Sequence, residues 1–215
     1  MPDGASCTST TTISRMSQGS FPTIEDVSSS TADKGAPLTT ALSVLFEPSI
    51  VLFTHLAPQV QKHLQKSSIS SYHELLTVAS NLISGWDEGL KVQFIAGHPR
   101  IGEVSNLSKL SAQEQAAKAT PPEVLARLAH LNACYEYRYP GLIYITFVNG
   151  RSRAQIMEEM EDVLGFARSL SADEPPPSSS GIISRGSEEW KSELDRAVKD
   201  VCKIAESRVR GLEPK

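Results

Sequence analysis

Among the residue types able to move protons, one histidine is set apart by its neighbours. In Phe94-Ile95-Ala96-Gly97-His98-Pro99, an apolar approach delivers His98 to the end of an element. Gly97 permits backbone paths that other residues resist, and Pro99 excludes most helical conformations for the residue before it. The expectation is an imidazole held extended. About one loop later Ser111, Glu114 and Gln115 open a new helix and bring a hydroxyl, a carboxylate and an amide. A placed imidazole with a carboxylate soon after it suits acid–base work, because its unperturbed pKa of about 6.5 lies near working pH. Ser111-Ala112-Gln113-Glu114 is also a capping box, whose side chains satisfy the first turn of a helix. Spacing alone leaves both readings open.

Other chemistries are poorly provided for. The five histidines (His55, His63, His73, His98, His130) are scattered, with no His-x-x-x-His pair. Cys7, Cys134 and Cys202 are far apart, odd in number and not in metal-ligand spacing. They read as reduced thiols of an intracellular protein rather than as a zinc site or a disulfide framework. No Gly-rich phosphate loop occurs. With a net charge of −4 and a pI of about 5.8, no global field favours nucleic acid or an anionic membrane. No apolar run approaches the roughly 20 residues that span a bilayer. Neither terminus carries a recognisable address, which leaves a cytoplasmic or peroxisomal setting as the expectation.

The elements that must position His98 read as helices. The chain of 215 residues suits one domain with a proper core. Residues 1–36, rich in Ser and Thr and without periodicity, read as disordered. Order is expected from Pro37, with Leu38, Leu42, Leu45 and Phe46 on one helix face, broken at Glu47-Pro48-Ser49. Ile50 to Leu64 repeats the helical pattern, with Pro58 set to kink or divide it. Ser71 and Glu74 cap an amphipathic helix bearing Leu75, Leu76, Ala79, Leu82, Ile83 and Trp86, the last read as core. Thr120-Pro121-Pro122-Glu123 starts another. Leu142 to Val148 is β-branched and aromatic, but a lone strand lacks partners for its backbone. It is expected to be an extended or helical segment, buried in a helical protein. Ser152 and Gln155 cap the next helix. Residues 171–186 read as a Pro/Ser-rich linker or insertion, and from Ser187 a long helix places Trp190, Leu194, Ala197, Val198 and Val201 on one side. Its polar face includes Arg196, Lys199, Lys203, Arg208 and Arg210, a face normally just solvated. The sum is an all-α, single-domain bundle of about seven or eight helices, spanning residues 37–212.

Several segments, in order, resemble the 2-oxo-4-hydroxy-4-carboxy-5-ureidoimidazoline (OHCU) decarboxylases. They are Phe46-Glu47-Pro48-Ser49, Ala96-Gly97-His98-Pro99-Arg100-Ile101-Gly102, Leu110-Ser111-Ala112-Gln113-Glu114-Gln115, Leu131 to Glu136 with Gly150-Arg151-Ser152, and Lys203 to Val209. The resemblance implies an all-helical, commonly dimeric enzyme of urate breakdown that forms (S)-allantoin without a cofactor. It places the catalytic pair on His98 and Glu114. Substrate contacts fall on Pro99, Ser111, Gln115, the backbone of Ile143, Tyr144 and Ile145, and Arg208, with Arg210 the competing arginine. Arg100 stands where the family usually has an acidic residue, and the shorter motif pattern reads like a fungal branch. The substrate's own electron-withdrawing ring holds the electron pair left by CO2, so no pyridoxal phosphate, thiamine or metal is called for. Expected partners are a small ureidoimidazoline and a second copy of the chain, not nucleic acid or membrane. The rival readings are a non-catalytic helical adaptor on the same fold and a hydrolase of a related ureido compound.

Overall fold

The computed structural model describes residues 21–103 and 120–212, and among them every regular element is helical. Eight α-helices appear: α1 (Ile24–Ser28), α2 (Pro37–Phe46), α3 (Ala57–Leu64), α4 (Tyr72–Ser84), α5 (Glu88–Ile95), α6 (Pro122–Arg138), α7 (Arg153–Leu164) and α8 (Glu188–Leu212). The all-α expectation holds. α8 is the central pillar. Its Trp190, Leu194, Ala197, Val198, Val201, Ala205 and Val209, spaced for one helical stripe, are all buried. It packs against α2, α4 and α5, while α6 and α7 lie side by side. Trp86 is core as expected, and its indole N–H donates to Gln59 Oε1 at 2.9 Å. Among the described residues no helix is long and apolar enough to cross a membrane.

Pro58 has the predicted effect through a specific device. Its ring would meet the carbonyl of Thr54 in a regular helix, and the chain widens instead into a π-helical turn over Leu52–Leu56, closed by Ala57 N–H to Leu52 O. The Ser152/Gln155 capping box forms on both arms. At α6 the cap differs from the expected one. Pro121 is the N-cap and Pro122 the first helical residue, while the Thr120 hydroxyl accepts from Arg153 instead.

Two expectations about irregular chain are corrected. Order begins before Pro37, because residues 24–28 form α1, capped by Thr23 and Asp26, and Val27 is fully buried. Val27 docks it together with Phe21, whose ring lies 4.9 Å from that of Tyr72, and the Tyr72 hydroxyl donates to Pro22 O at 2.7 Å. Residues 171–186 are not a loose linker but a strap along α6, with a 3₁₀ turn at Pro177–Ser180. Polar groups hold it. Arg127 donates to Ser171 O and Glu174 O, Arg138 donates to Ser180 O, and Ile183 N–H donates to Arg138 O. Apolar content was the wrong measure for a segment fastened through its carbonyls. Residues 142–148, by contrast, are buried from Leu142 to Ile145 and non-helical, as one of the two expected forms requires.

Candidate active site

His98 follows the end of α5 by three residues. The approach to it is helical, and the turn is closed by His98 N–H to Ile95 O at 3.0 Å. Phe94 anchors the junction, with its ring 6.0 Å from Phe46, 5.4 Å from Trp86 and 5.5 Å, edge-on, from the imidazole of His98. Gly97 is needed for space rather than for an unusual dihedral. A Cβ there would lie 2.6 Å from Ser49 Cβ, so α5 could not close on the turn after α2. Beyond Pro99 the chain is tied to α6. Arg100 forms a two-pronged ion pair with Glu136, and Asn132 Nδ2 donates to Ile101 O at 3.0 Å. Gly102, at φ +83°, sits against Leu128. Arg100 therefore faces α6.

The imidazole is buried, at 8% exposure. Its Nδ1 lies 3.3 Å from Phe94 O. A carbonyl only accepts, so Nδ1 carries the proton in that contact and Nε2 keeps the lone pair. Burial pushes the pKa down to about 4. The Glu47 carboxylate raises it and the Arg208 guanidinium lowers it, while backbone contacts from Phe94 and Ile95 raise it a little. The ring is thus neutral at physiological pH and stands as a base.

Glu47 is the carboxylate that sequence reasoning missed. It ends α2 at φ 63°, ψ 140°, a region that L side chains rarely adopt and that costs of order 1–3 kcal/mol. It is almost wholly buried. What holds it is Arg208 from α8, whose Nη2 is 2.7 Å from Glu47 Oε1 and whose Nη1 donates to Val44 O at 3.1 Å and Leu45 O at 3.3 Å. Those carbonyls have no partner within α2 itself. One guanidinium therefore caps α2 and fixes the acid beside His98. A signal was present in the sequence: a lone acid inside the largely apolar run from Val44 to Phe53, read as a helix break and as part of a resembling segment but given no role in the site.

Glu47, His98, Pro99, Tyr144, Ile145 and Arg208 share the wall of one cavity of about 680 Å³, continued by residues 146–154. Arg208 and Arg210 are separated by this geometry. Arg208 is buried in the wall, whereas Arg210 is exposed and pairs loosely with Glu206 at 3.9 Å. The expected solvated face of α8 thus hides one buried cation. Ile143 is buried but outside the cavity wall, and Thr146, Phe147 and Val148 line it instead. Ser111, Glu114 and Gln115 lie outside the described residues. Among the described residues, no group of three or more His, Cys, Asp or Glu is arranged to hold a metal ion.

Fold and cavity together define an all-α protein with an acid–base pocket of small-molecule size. The family model described as OHCU decarboxylase matches residues 36–169, and the chain belongs to that family. The match runs from α2 through α7 and stops before α8, so Arg208 lies outside it. Among solved structures, a crystal structure of (S)-allantoin synthase is similar at a TM-score of 0.53 and 16% identity, over 88% of this chain and 54% of that one. This chain therefore spans about half the length of that structure, and the likeness is one of fold. A comparison with curated proteins finds no match.

Proposed function

We propose that the chain decarboxylates 2-oxo-4-hydroxy-4-carboxy-5-ureidoimidazoline to (S)-allantoin, a step in urate catabolism. The observation that supports this reading best is that His98, Glu47 and Arg208 meet in one cavity within a chain of this family. Loss of CO2 leaves an electron pair that the substrate's own ring accepts. What remains for the protein is positioning, electrostatics and one proton delivered to one face.

A neutral Nε2 suits such a cycle. It takes the proton of the substrate's hydroxyl group as the C–CO2 bond breaks and returns it to the ring carbon that becomes the stereocentre. A bound carboxylate favours the intervening imidazolium by its charge. Arg208 grips the departing carboxylate or a ureido oxygen, exchanging part of its contact with Glu47 for a second anion in two-pronged geometry. Pro99, Tyr144 and Ile145 shape the pocket around the ring. Glu114, Ser111 and Gln115 keep the roles the resemblance gives them, with Glu114 orienting the imidazole and the other two binding the ring. No cofactor enters this scheme. A homodimer in the cytoplasm or a peroxisome completes the reading.

The test is direct. Purified protein is given freshly generated substrate, which decays on its own to racemic allantoin. Accelerated CO2 release with optically active allantoin supports the assignment. Ammonia or urea release would point to hydrolysis, and an unaltered spontaneous reaction would leave a fold without this activity.

A further inference from the structure

Residues 144–148 line the cavity yet belong to no helix, and among the described residues no strand lies beside them. Their buried backbone groups still need partners. Side chains of α8 supply two of them. Arg196 Nη1 donates to Ile145 O at 2.8 Å, and Asp200 Oδ2 accepts from Phe147 N–H at 3.4 Å. In an extended backbone, the C=O of one residue and the N–H two residues on share an edge, which a neighbouring strand would normally occupy. Arg196 and Asp200 take that place, 3.1 Å from each other.

The arginine is itself held. Its Nε and Nη2 donate to the two carboxylate oxygens of Glu193 at 2.8 and 2.7 Å, and Tyr135 O–H donates to the same carboxylate. Its guanidinium lies 5.4 Å from the ring centroid of Tyr144, which also meets Tyr135 edge-on at 5.2 Å. Three residues of the cavity wall (Tyr144, Ile145 and Phe147) are thus set by one connected polar chain on α8, part of the face read from sequence as merely solvated.

We propose that Arg196, oriented by Glu193 and Asp200, is a positioning residue that sets the 144–147 wall and thereby the backbone edge of Thr146 that a substrate ring meets. This rests on the decarboxylase reading for its substrate, though not for its geometry. Arg196 touches no reacting atom, so its loss acts on binding rather than on the proton transfer.

The test compares Arg196→Met, which keeps the stem and removes the fork, with Arg196→Lys, using the full chain. Arg196→Met raises KM about tenfold while kcat stays within about threefold and its pH dependence is unmoved. Arg196→Lys recovers part of the loss, since an ammonium can still reach Ile145 O. Amide hydrogen exchange of Phe147 quickens in Arg196→Met while that of α4 does not. Asp200→Asn, which keeps an acceptor for Phe147 N–H, has a smaller effect than Asp200→Ala. An unchanged KM, or unchanged exchange at Phe147, overturns the proposal. Should the unaltered chain not turn over the ureidoimidazoline, the functional reading fails, and exchange at Phe147 still decides whether Arg196 sets the wall.

Discussion

A buried histidine with its pKa near 4 has consequences for stability as well as for chemistry. Unfolding exposes the imidazole and returns it to about 6.5, so the unfolded chain takes the proton first. The stabilisation from keeping His98 neutral is complete above pH about 6.5 and is lost as pH falls toward 4. The slope is at most roughly 1.4 kcal/mol per pH unit for one group. Urea unfolding of His98→Asn across that window should show this component gone, with helicity intact. The same variant should lose about 10²- to 10⁴-fold in turnover. Glu47→Gln removes the charge that raises the His98 pKa and leaves Arg208 facing a neutral amide. Its His98 titration, followed by NMR, should move to still lower pH. An upward movement would show that Glu47 acts on the ring in some other way.

At the level of elements, the turn between α2 and the π-helical segment and the end of α5 must fit closely. Gly97→Ala forces Ser49 away and with it the Glu47 turn. Both melting temperature and activity should drop together, the activity by more than His98-remote core variants of equal stability. The strap over residues 171–186 depends on a buried pair. Arg127 and Glu161 are both fully buried, at 2.8 Å, and the same guanidinium reaches the strap's carbonyls. Arg127→Met leaves the buried Glu161 with only the Ser169 N–H at 3.1 Å and the half-exposed Arg168 at 3.8 Å, and should cost about 3 kcal/mol. The paired variant Arg127→Met with Glu161→Leu should recover much of that cost in denaturant titration, while limited proteolysis within 171–180 stays fast because the carbonyls are still unheld.

For the whole molecule, α8 joins what the rest of the chain keeps apart. It fills the groove between α2, α4 and α5, caps α2 through Arg208 and braces the 144–147 wall through Arg196. A chain ending at Ser187 loses the entire buried stripe from Trp190 to Val209. It should show no cooperative unfolding transition by calorimetry, although every segment matched by the family model is still present. The tie from residue 208 to residue 47 closes a loop of 161 residues, and its formation carries the loop-closure entropy of a contact so distant in sequence.

The sequence by itself determined the helical class, most helix faces, the Ser152 cap, the break at Glu47 and the prominence of His98. Each is local: periodicity, capping and proline sterics act over a few residues and leave their mark in the order of letters. The tertiary structure alone decided that Glu47 is buried in the cavity wall against Arg208, that Arg208 rather than Arg210 turns inward, that the wall begins at Tyr144, and that residues 171–186 are strapped down. Those outcomes depend on which distant groups meet, because a carboxylate beside a proline or an arginine on a helix is identical in sequence whether it faces water or a partner 161 residues away. Burial and pairing, which fix their charge and chemistry, exist only once the chain has closed on itself.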